Sequence, residues 1–143
     1  MLFGKRDRIV KRILIVEDEP LTAFDNETLI SDAGYQVVAT LDRFRDAVAT
    51  LDREQVDLIL CDVRLTGERT GVDLAQVAKN RGIPVVFSTG MPPDNASELV
   101  LGCLLKPYNG RTLKAALKAV DRHLAGEAVK APRGMILYPV ADA

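Results

Sequence analysis

Short runs of apolar residues alternate along this chain with segments in which apolar residues recur at helical spacing. The clearest run spans residues 58–61, where no polar residue interrupts the apolar ones and Asp62 follows directly. A continuous run of this length is typical of a parallel strand that helices cover on both faces. The pattern therefore predicts a central buried strand that ends at Asp62.

Four further runs have the same character. They predict strands over residues 12–16, 36–40, 84–88 and 101–105. Because strands and helices alternate strictly, we expect right-handed crossover connections and an α/β fold with a doubly wound, five-stranded parallel sheet. The strand order that we predict is 2-1-3-4-5, the flavodoxin-like order.

Turn residues bound the helical segments between these strands. Pro20 opens the first helix and Gly34 follows it, while Asn109 is the expected cap of the last one. The segment 89–97 is rich in Gly, Pro, Asn and Ser, so the fourth helix is predicted to be short or irregular. The residues expected to face the sheet are Leu21, Phe24, Thr28, Leu29 and Ile30 in the first helix, Ala47, Val48 and Leu51 in the second, Leu74, Val77 and Ala78 in the third, and Leu113, Leu117, Val120 and Leu124 in the last.

The chain is long enough for one good core, which we place in residues 12–125. A basic leader over residues 1–11 precedes this domain, and a tail over residues 126–143 follows it. The tail carries an apolar run of high strand propensity, Met135 to Val140. Since the fifth strand is an edge, we hypothesise that Met135 to Tyr138 dock beside it, as an added strand or against the last helix, on this chain or a neighbour's.

Charge and composition limit the classes of partner that the chain is expected to bind. The 19 basic and 20 acidic residues nearly cancel, so no overall field favours nucleic acid, and no apolar run is long enough to cross a membrane. We therefore expect a cytoplasmic protein without a direct nucleic-acid or membrane partner. Cys61 and Cys103 lie on strands separated by one other, about 10 Å apart, and are expected to stay free because a disulfide needs Cα atoms within about 7 Å.

Polar side chains follow four of the predicted strands. They are Glu17 and Asp18 after the first strand, Asp62 after the third, Thr89 after the fourth and Lys106 after the fifth. The carboxyl ends of parallel strands share one edge of the sheet, where ligands of such folds bind. Three crowded carboxylates call for a hard divalent cation, for which Mg²⁺ is the natural choice, while the ammonium and the hydroxyl suit an anion. An aspartate in this setting is suited to become an acyl phosphate.

These residues resemble the receiver domain of bacterial two-component response regulators, a family that takes a phosphoryl group from a histidine kinase onto an aspartate. The resemblance covers about residues 12–125. It implies that Asp62 is the phosphoacceptor, that Thr89 and Lys106 assist it, and that a cis peptide bond joins Lys106 to Pro107. The Mg²⁺ ligands that it implies are the carboxylates of Glu17, Asp18 and Asp62 and the backbone carbonyl of Arg64.

The chain departs from the family at the position three residues before the lysine. Receivers usually carry Tyr or Phe there, whereas this chain has Cys103, so the usual aromatic switch cannot operate in its familiar form. The stretch from Phe87 to Met91 is similar to the signature of a subclass nicknamed FAT GUY, with Ser88 in place of its alanine and Pro92 in place of its tyrosine. Many members of that subclass are stand-alone receivers in general stress signalling.

The resemblance implies a stand-alone switch that signals by protein contact, phosphorelay or as a phosphate sink, and that catalyses only its own phosphorylation and dephosphorylation. Its expected partners are a sensor histidine kinase or histidine phosphotransferase and a downstream protein, with the chain a monomer or weak dimer. Two alternatives stay open. A hydrolase of the haloacid dehalogenase type would need an Asp-x-Asp pattern where Glu17-Asp18-Glu19 stands, and a non-phosphorylated scaffold would not need these site residues.

Overall fold

The computed structural model of the protein describes residues 8–139. The strands are β1 (Arg12–Val16), β2 (Gln36–Leu41), β3 (Leu58–Asp62), β4 (Val85–Thr89), β5 (Gly102–Leu105) and β6 (Met135–Leu137). The helices are α1 (Pro20–Asp32), α2 (Phe44–Arg53), α3 (Gly71–Asn80), α4 (Ala96–Leu99) and α5 (Gly110–Leu124). Over this range, no helix is both long and apolar enough to cross a membrane.

The sheet has the order β2-β1-β3-β4-β5-β6, and its first five strands are parallel. The predicted order 2-1-3-4-5 is therefore confirmed, as is the short fourth helix, which has four residues. The five predicted parallel strands are present, and a sixth strand, β6, pairs antiparallel with β5 and places Ile136 opposite Cys103. This sixth strand comes from the tail, of which Val140 lies outside the described residues.

Helices cover both faces of the sheet, which explains the uninterrupted apolar runs. In β3, Ile59 and Cys61 belong to the cluster beneath α2, α3 and α4, whereas Leu58 and Leu60 belong to the cluster beneath α1 and α5. All four side chains are at most 2% exposed. Because both faces are buried, neither set of alternate positions in this strand can be polar.

Helix α1 turns a different face to the sheet from the one that its sequence predicts. Leu21 and Phe24 are 74% and 64% exposed, so the prediction that they face the sheet is wrong. Ala23 and Asn26 are buried instead, while Ile30 is buried as predicted and Thr28, also predicted to face the sheet, is exposed. Asn26 is accommodated because its side-chain amide donates to the hydroxyl of Tyr108 at 3.0 Å, a contact that cannot be read from the periodicity of α1.

Part of the predicted basic leader packs against the domain. Residues 1–7 lie outside the described range, but the backbone amides of Ile9 and Val10 each donate to the Asp121 carboxylate at 2.8 Å. Val10 is 1% exposed. The packed part of the chain thus begins before Arg12, where the sequence pattern places the first strand.

Strand β6 covers the edge of β5 at very short range. A Cβ atom on residue 102 would lie 2.3 Å from the carbonyl oxygen of Ile136, so only glycine allows this approach.

Cys103, on β5, is buried, and Cys61 on β3 is buried as well. Both cysteines are free, as predicted from their positions on non-adjacent strands.

Candidate functional site

Three carboxylates lie together at the carboxyl edge of the sheet. Glu17 and Asp18 directly follow β1, and Asp62 ends the neighbouring strand β3, with Val16 and Cys61 in register. Each of the three side chains offers an oxygen atom, and these atoms all lie within 4.8 Å of one another. Glu17 is 3% exposed and Asp62 is 9% exposed, whereas Asp18 is open to solvent.

The ammonium of Lys106 lies between two of these carboxylates. Its Nζ is 3.0 Å from Oε1 of Glu17 and 3.3 Å from Oδ2 of Asp62. The other oxygen of Asp62, Oδ1, accepts a hydrogen bond from the backbone amide of Arg64 at 3.2 Å. Both oxygens of Asp62 therefore have a donor, and the carboxylate is held in one orientation.

Thr89 brings a hydroxyl to the same edge from the end of β4. Its Oγ1 donates to the carbonyl oxygen of Met91 at 3.2 Å and accepts from the amide of Met91 at the same distance. The backbone of Thr89 also accepts a hydrogen bond from the amide of Lys106, at 2.9 Å. The two residues are thus joined through their backbones, and the hydroxyl is engaged with its own loop.

Burial and repulsion set the ionisation of the carboxylates. Burial, followed by the neighbouring Asp62, raises the pKa of Glu17 from 4.5 to about 7, and burial also raises the pKa of Asp18. Burial alone would raise the pKa of Asp62 too, but hydrogen bonds from Glu17 and the Arg64 amide, with the charge of Lys106, hold it below its ordinary value. Asp62 therefore stays ionised at neutral pH, whereas Glu17 gains or loses its proton near pH 7.

The donor set fits a hard divalent cation. Within residues 8–139, Oε1 of Glu17 is a buried side-chain oxygen without a hydrogen-bond partner, its contact with Lys106 being an ion pair. Oxygen atoms of Glu17, Asp18 and Asp62 lie close enough to share one ion. Mg²⁺ prefers a few carboxylates and keeps part of its water shell, which suits a cluster that is half open.

Gly71 belongs to this site, and sequence reasoning missed it. A Cβ atom at this position would lie 1.9 Å from the carbonyl oxygen of Asp62. The amide of Gly71 also donates to the carbonyl of Val63 at 2.8 Å. The available signal was a glycine directly after Thr70, whose side chain caps α3. Glycine here lets the start of α3 pack directly on the backbone that carries Asp62.

A second group that sequence reasoning missed is a buried polar network behind Lys106. The hydroxyl of Tyr108 lies 3.0 Å from Oγ of Ser88 and accepts from the Asn26 amide at 3.0 Å. Ser88 is 1% exposed and Asn26 is 2% exposed. The peptide bond between Lys106 and Pro107 is cis, as the resemblance implied. The network therefore joins α1 to the strand end that carries Thr89.

An apolar cleft of about 510 Å³ opens beside Lys106. Phe24 and Leu29 of α1 line one side of it, and Pro107 and Tyr108 line the other. The exposed Leu21 lies on the same helix, at its first turn. The carboxyl edge thus has an apolar surface next to its charged centre.

Residues 13–118 match the response regulator receiver domain family. The transcriptional regulatory protein PdtaR of Mycobacterium tuberculosis is 29% identical over 121 residues, which cover 80% of this chain and 58% of PdtaR. The phyllosphere-induced regulator PhyR of Methylorubrum extorquens is 35% identical over 82 residues, which cover 56% of this chain and 31% of PhyR. This chain therefore spans less than two thirds of the length of either relative.

Solved structures share the fold. A CheY-like receiver domain protein from Methanospirillum hungatei JF-1 has a TM-score of 0.73 at 23% identity and covers 83% of this chain and 99% of its own. The receiver domain of a sensor histidine kinase from Pseudomonas aeruginosa PAO1 has a TM-score of 0.67 at 23% identity, with coverages of 82% and 99%. That second structure has a magnesium ion coordinated in its active site cleft.

Proposed function

The chain belongs to the response regulator receiver domain family, and we propose that it accepts a phosphoryl group from a histidine kinase or histidine phosphotransferase onto Asp62. The observation that carries the proposal is the setting of this carboxylate. Asp62 is held between the Arg64 amide and the Lys106 ammonium, with oxygens of Glu17 and Asp18 within 4.8 Å. The match to the receiver family also argues against the alternative that the chain is a hydrolase of the haloacid dehalogenase type.

In the proposed transfer, an oxygen of Asp62 forms a bond to phosphorus while the bond from phosphorus to the donor's imidazole nitrogen breaks. The imidazole, protonated on its second nitrogen, leaves as a neutral ring with the electron pair of that bond, so no further reactant is required. The lowered pKa of Asp62 keeps the nucleophile ionised. Lys106 neutralises the charge that arrives, and the Thr89 hydroxyl turns from Met91 to donate to a phosphoryl oxygen.

Mg²⁺ would be held by the carboxylates of Glu17, Asp18 and Asp62 and by the backbone carbonyl of Arg64. When bound, the ion supplies positive charge to the phosphoryl oxygens. Glu17 must lose its proton to act as a ligand, and its pKa of about 7 means that this loss occurs near neutral pH. Proton release on addition of Mg²⁺ is therefore expected.

The apolar surface beside Lys106 fits the approach of the phosphodonor. A donor histidine that reaches Asp62 must cover the surface around the carboxyl edge, and exposed apolar patches mark such contacts. Leu21 and Phe24 of α1 are 74% and 64% exposed, and Phe24 lines the cleft of about 510 Å³. We assign this face to the kinase or phosphotransferase.

The proposed setting is cytoplasmic, with the chain a monomer or weak dimer. Its output is proposed to be protein contact, phosphorelay or a phosphate sink. The FAT GUY-like stretch from Phe87 to Met91 supports a role in general stress signalling. The chain is proposed to catalyse only its own phosphorylation and dephosphorylation.

The decisive experiment is phosphorylation by a small acyl phosphate in Mg²⁺, followed by intact-mass measurement. The wild-type chain is expected to gain one phosphoryl group, and Asp62→Asn and Asp18→Asn are expected to gain none. Glu68→Gln, which changes an exposed carboxylate in the loop after β3, is the matched control and is expected to behave as wild type. Full phosphorylation in chelator, or in Asp62→Asn, would refute the proposal.

A further inference from the structure

Strand β6 is bonded to β5 at both of its ends. The amide of Leu105 donates to the carbonyl of Gly134 at 2.9 Å, and the amide of Tyr138 donates to the carbonyl of Leu101 at 2.9 Å. Between these bonds, β6 contributes only the three residues Met135–Leu137. A pairing this short is marginal by itself and depends on the side chains around it.

Side chains of the tail contact both faces of the sheet. Met135 is 6% exposed and joins the cluster beneath α1 and α5. Tyr138 packs on the opposite cluster, with its hydroxyl 3.5 Å from Sγ of Cys103. His123 of α5 places Nε2 at 2.9 Å from the carbonyl oxygen of Tyr138. The docked tail is thus held by α5 and by the surface beside the four-residue α4.

The tail is connected to the candidate site through adjacent backbone bonds. Leu105, which donates to Gly134, directly precedes Lys106 and is in register with Thr89. The amide of Lys106 donates to the carbonyl of Thr89 at 2.9 Å. Movement of the residues that carry the ammonium and the hydroxyl therefore acts directly on the bond that holds the start of β6.

We propose that β6 is a strap whose docking is coupled to the state of Asp62: it is docked while Lys106 pairs with Glu17 and loosened when Asp62 carries a phosphoryl group. This inference rests on the proposed phosphorylation of Asp62. A phosphoryl group draws the Lys106 ammonium away from Glu17 and the Thr89 hydroxyl away from Met91. Both movements pull the ends of β4 and β5 towards the site and away from Gly134.

Coupling of this kind is reciprocal. If a phosphoryl group on Asp62 loosens the strap, then loosening the strap must strengthen binding of a phosphoryl mimic by the same factor. Couplings between sites are typically about 5–150-fold. The proposal can therefore be tested from either end, without knowledge of the downstream partner.

The first test is hydrogen exchange of the full chain with and without acetyl phosphate in Mg²⁺. Exchange of the Leu105 and Tyr138 amides, which donate across β5 and β6, is expected to rise about fivefold or more on phosphorylation. Asp62→Asn should show no change. Intact mass is measured on the same samples: absence of phosphoryl transfer refutes the proposed function, whereas transfer with unchanged or slower exchange overturns the strap alone.

The second test measures the affinity for beryllofluoride in Mg²⁺ as a mimic of the phosphoryl group. Tyr138→Ala removes the ring that packs beside Cys103, and we expect it to lower the Kd about fivefold or more. Ile136→Ala is the matched control, because Ile136 lies on β6, two residues before Tyr138, and is 36% exposed. The Kd of this variant should equal that of wild type. An unchanged or higher Kd in Tyr138→Ala would overturn the coupling.

Discussion

The two halves of the sheet are built differently. Strands β1, β2 and β3 are followed by α1, α2 and α3, which have 13, 10 and 10 residues. Strand β4 is followed by α4, with only four residues, β5 is followed by the 15-residue α5, and the tail supplies the last strand. The first half carries the carboxylates Glu17, Asp18 and Asp62, whereas the second carries Thr89 and Lys106.

This difference matches what each half must do. Carboxylates within 4.8 Å of one another repel, so the strands that hold them need full helices and close packing. The hydroxyl and the ammonium must instead turn towards an arriving phosphoryl group. The four-residue α4 leaves this half less covered on one face, which allows that movement at small cost.

The largest expected effect comes from adding one methyl group to the first half. In Gly71→Ala the new Cβ meets the Asp62 carbonyl at 1.9 Å, and this backbone lies in a buried strand that cannot move away. We expect a loss of about 3 kcal/mol in the free energy of unfolding, the upper end for overpacking. Urea unfolding measures it.

Gly90→Ala is the control for that experiment, since the nearest atom to its Cβ is 4.0 Å away. It should cost less than about 1 kcal/mol. If Gly71→Ala lost no more free energy of unfolding than the control, the first half of the sheet would yield to an added methyl group as easily as the second. The comparison between the two halves would then fail.

The next effect concerns the proton of Glu17. Its pKa is raised from 4.5 to about 7 in the folded state, so the folded chain binds this proton more tightly than the unfolded chain. The resulting stabilisation is complete below pH 4.5 and is lost as the pH rises through about 7. Asp62 has a lowered pKa, so its ionised form stabilises the folded chain. That stabilisation is lost only as the pH falls below the ordinary pKa of 3.8, which is outside this window.

Glu17→Gln should therefore flatten the dependence of the melting temperature on pH across this window and stabilise the chain above it by roughly 2 kcal/mol. Mg²⁺ added to the wild-type protein should raise its melting temperature at high pH, because the ion compensates the repulsion. An equally steep pH dependence in Glu17→Gln would show that another group is responsible.

A smaller effect is expected when the same methyl group is added to the second half. In Gly102→Ala the Cβ meets the Ile136 carbonyl at 2.3 Å, but this backbone belongs to the outermost strand, which can undock. We expect a cost of roughly 1 kcal/mol, because the bonds lost contribute little each. Limited proteolysis should then cut residues 126–139 faster. A cost equal to that of Gly71→Ala would place β6 in the core.

The smallest effect is expected at Met91. In the receiver family, the residues two positions after the phosphoacceptor and two after the hydroxyl influence the lifetime of the acyl phosphate, and in this chain those positions hold Arg64 and Met91. Neither side chain accepts a proton from water, so hydrolysis should take minutes or longer. Met91 is 82% exposed, and Met91→Ala should change the hydrolysis rate by less than about twofold. Decay within seconds in Mg²⁺ alone, followed by intact mass, would contradict this.

Much of the fold could be predicted from the sequence, because the patterns that indicate the strands lie within short stretches of the chain. Strands buried on both faces, such as residues 58–61, must be apolar throughout, and parallel strands place Asp62, Thr89 and Lys106 at the same edge of the sheet. The family resemblance added the order of these residues along the chain. Neither source depended on how distant side chains pack.

The face of α1 that packs on the sheet could not be predicted from the sequence of the helix. Leu21 and Phe24 are its bulky apolar residues near the start, and periodicity placed them against the sheet, yet Asn26 is buried there. Burying an asparagine is acceptable only because Tyr108, 82 positions later, supplies a partner. The hydrophobic pattern of a helix does not indicate a hydrogen-bond partner that lies so far away in the sequence.

The sequence by itself determined which residues gather at the carboxyl edge, since strand ends in a parallel sheet are set by connection and burial. Only the tertiary structure decided that Gly71 must lack a side chain beside Asp62 and that Lys106 lies between Glu17 and Asp62. It alone decided that the tail pairs with β5 of the same chain. These features depend on distances between residues far apart in the chain, which appear only once the strands have packed.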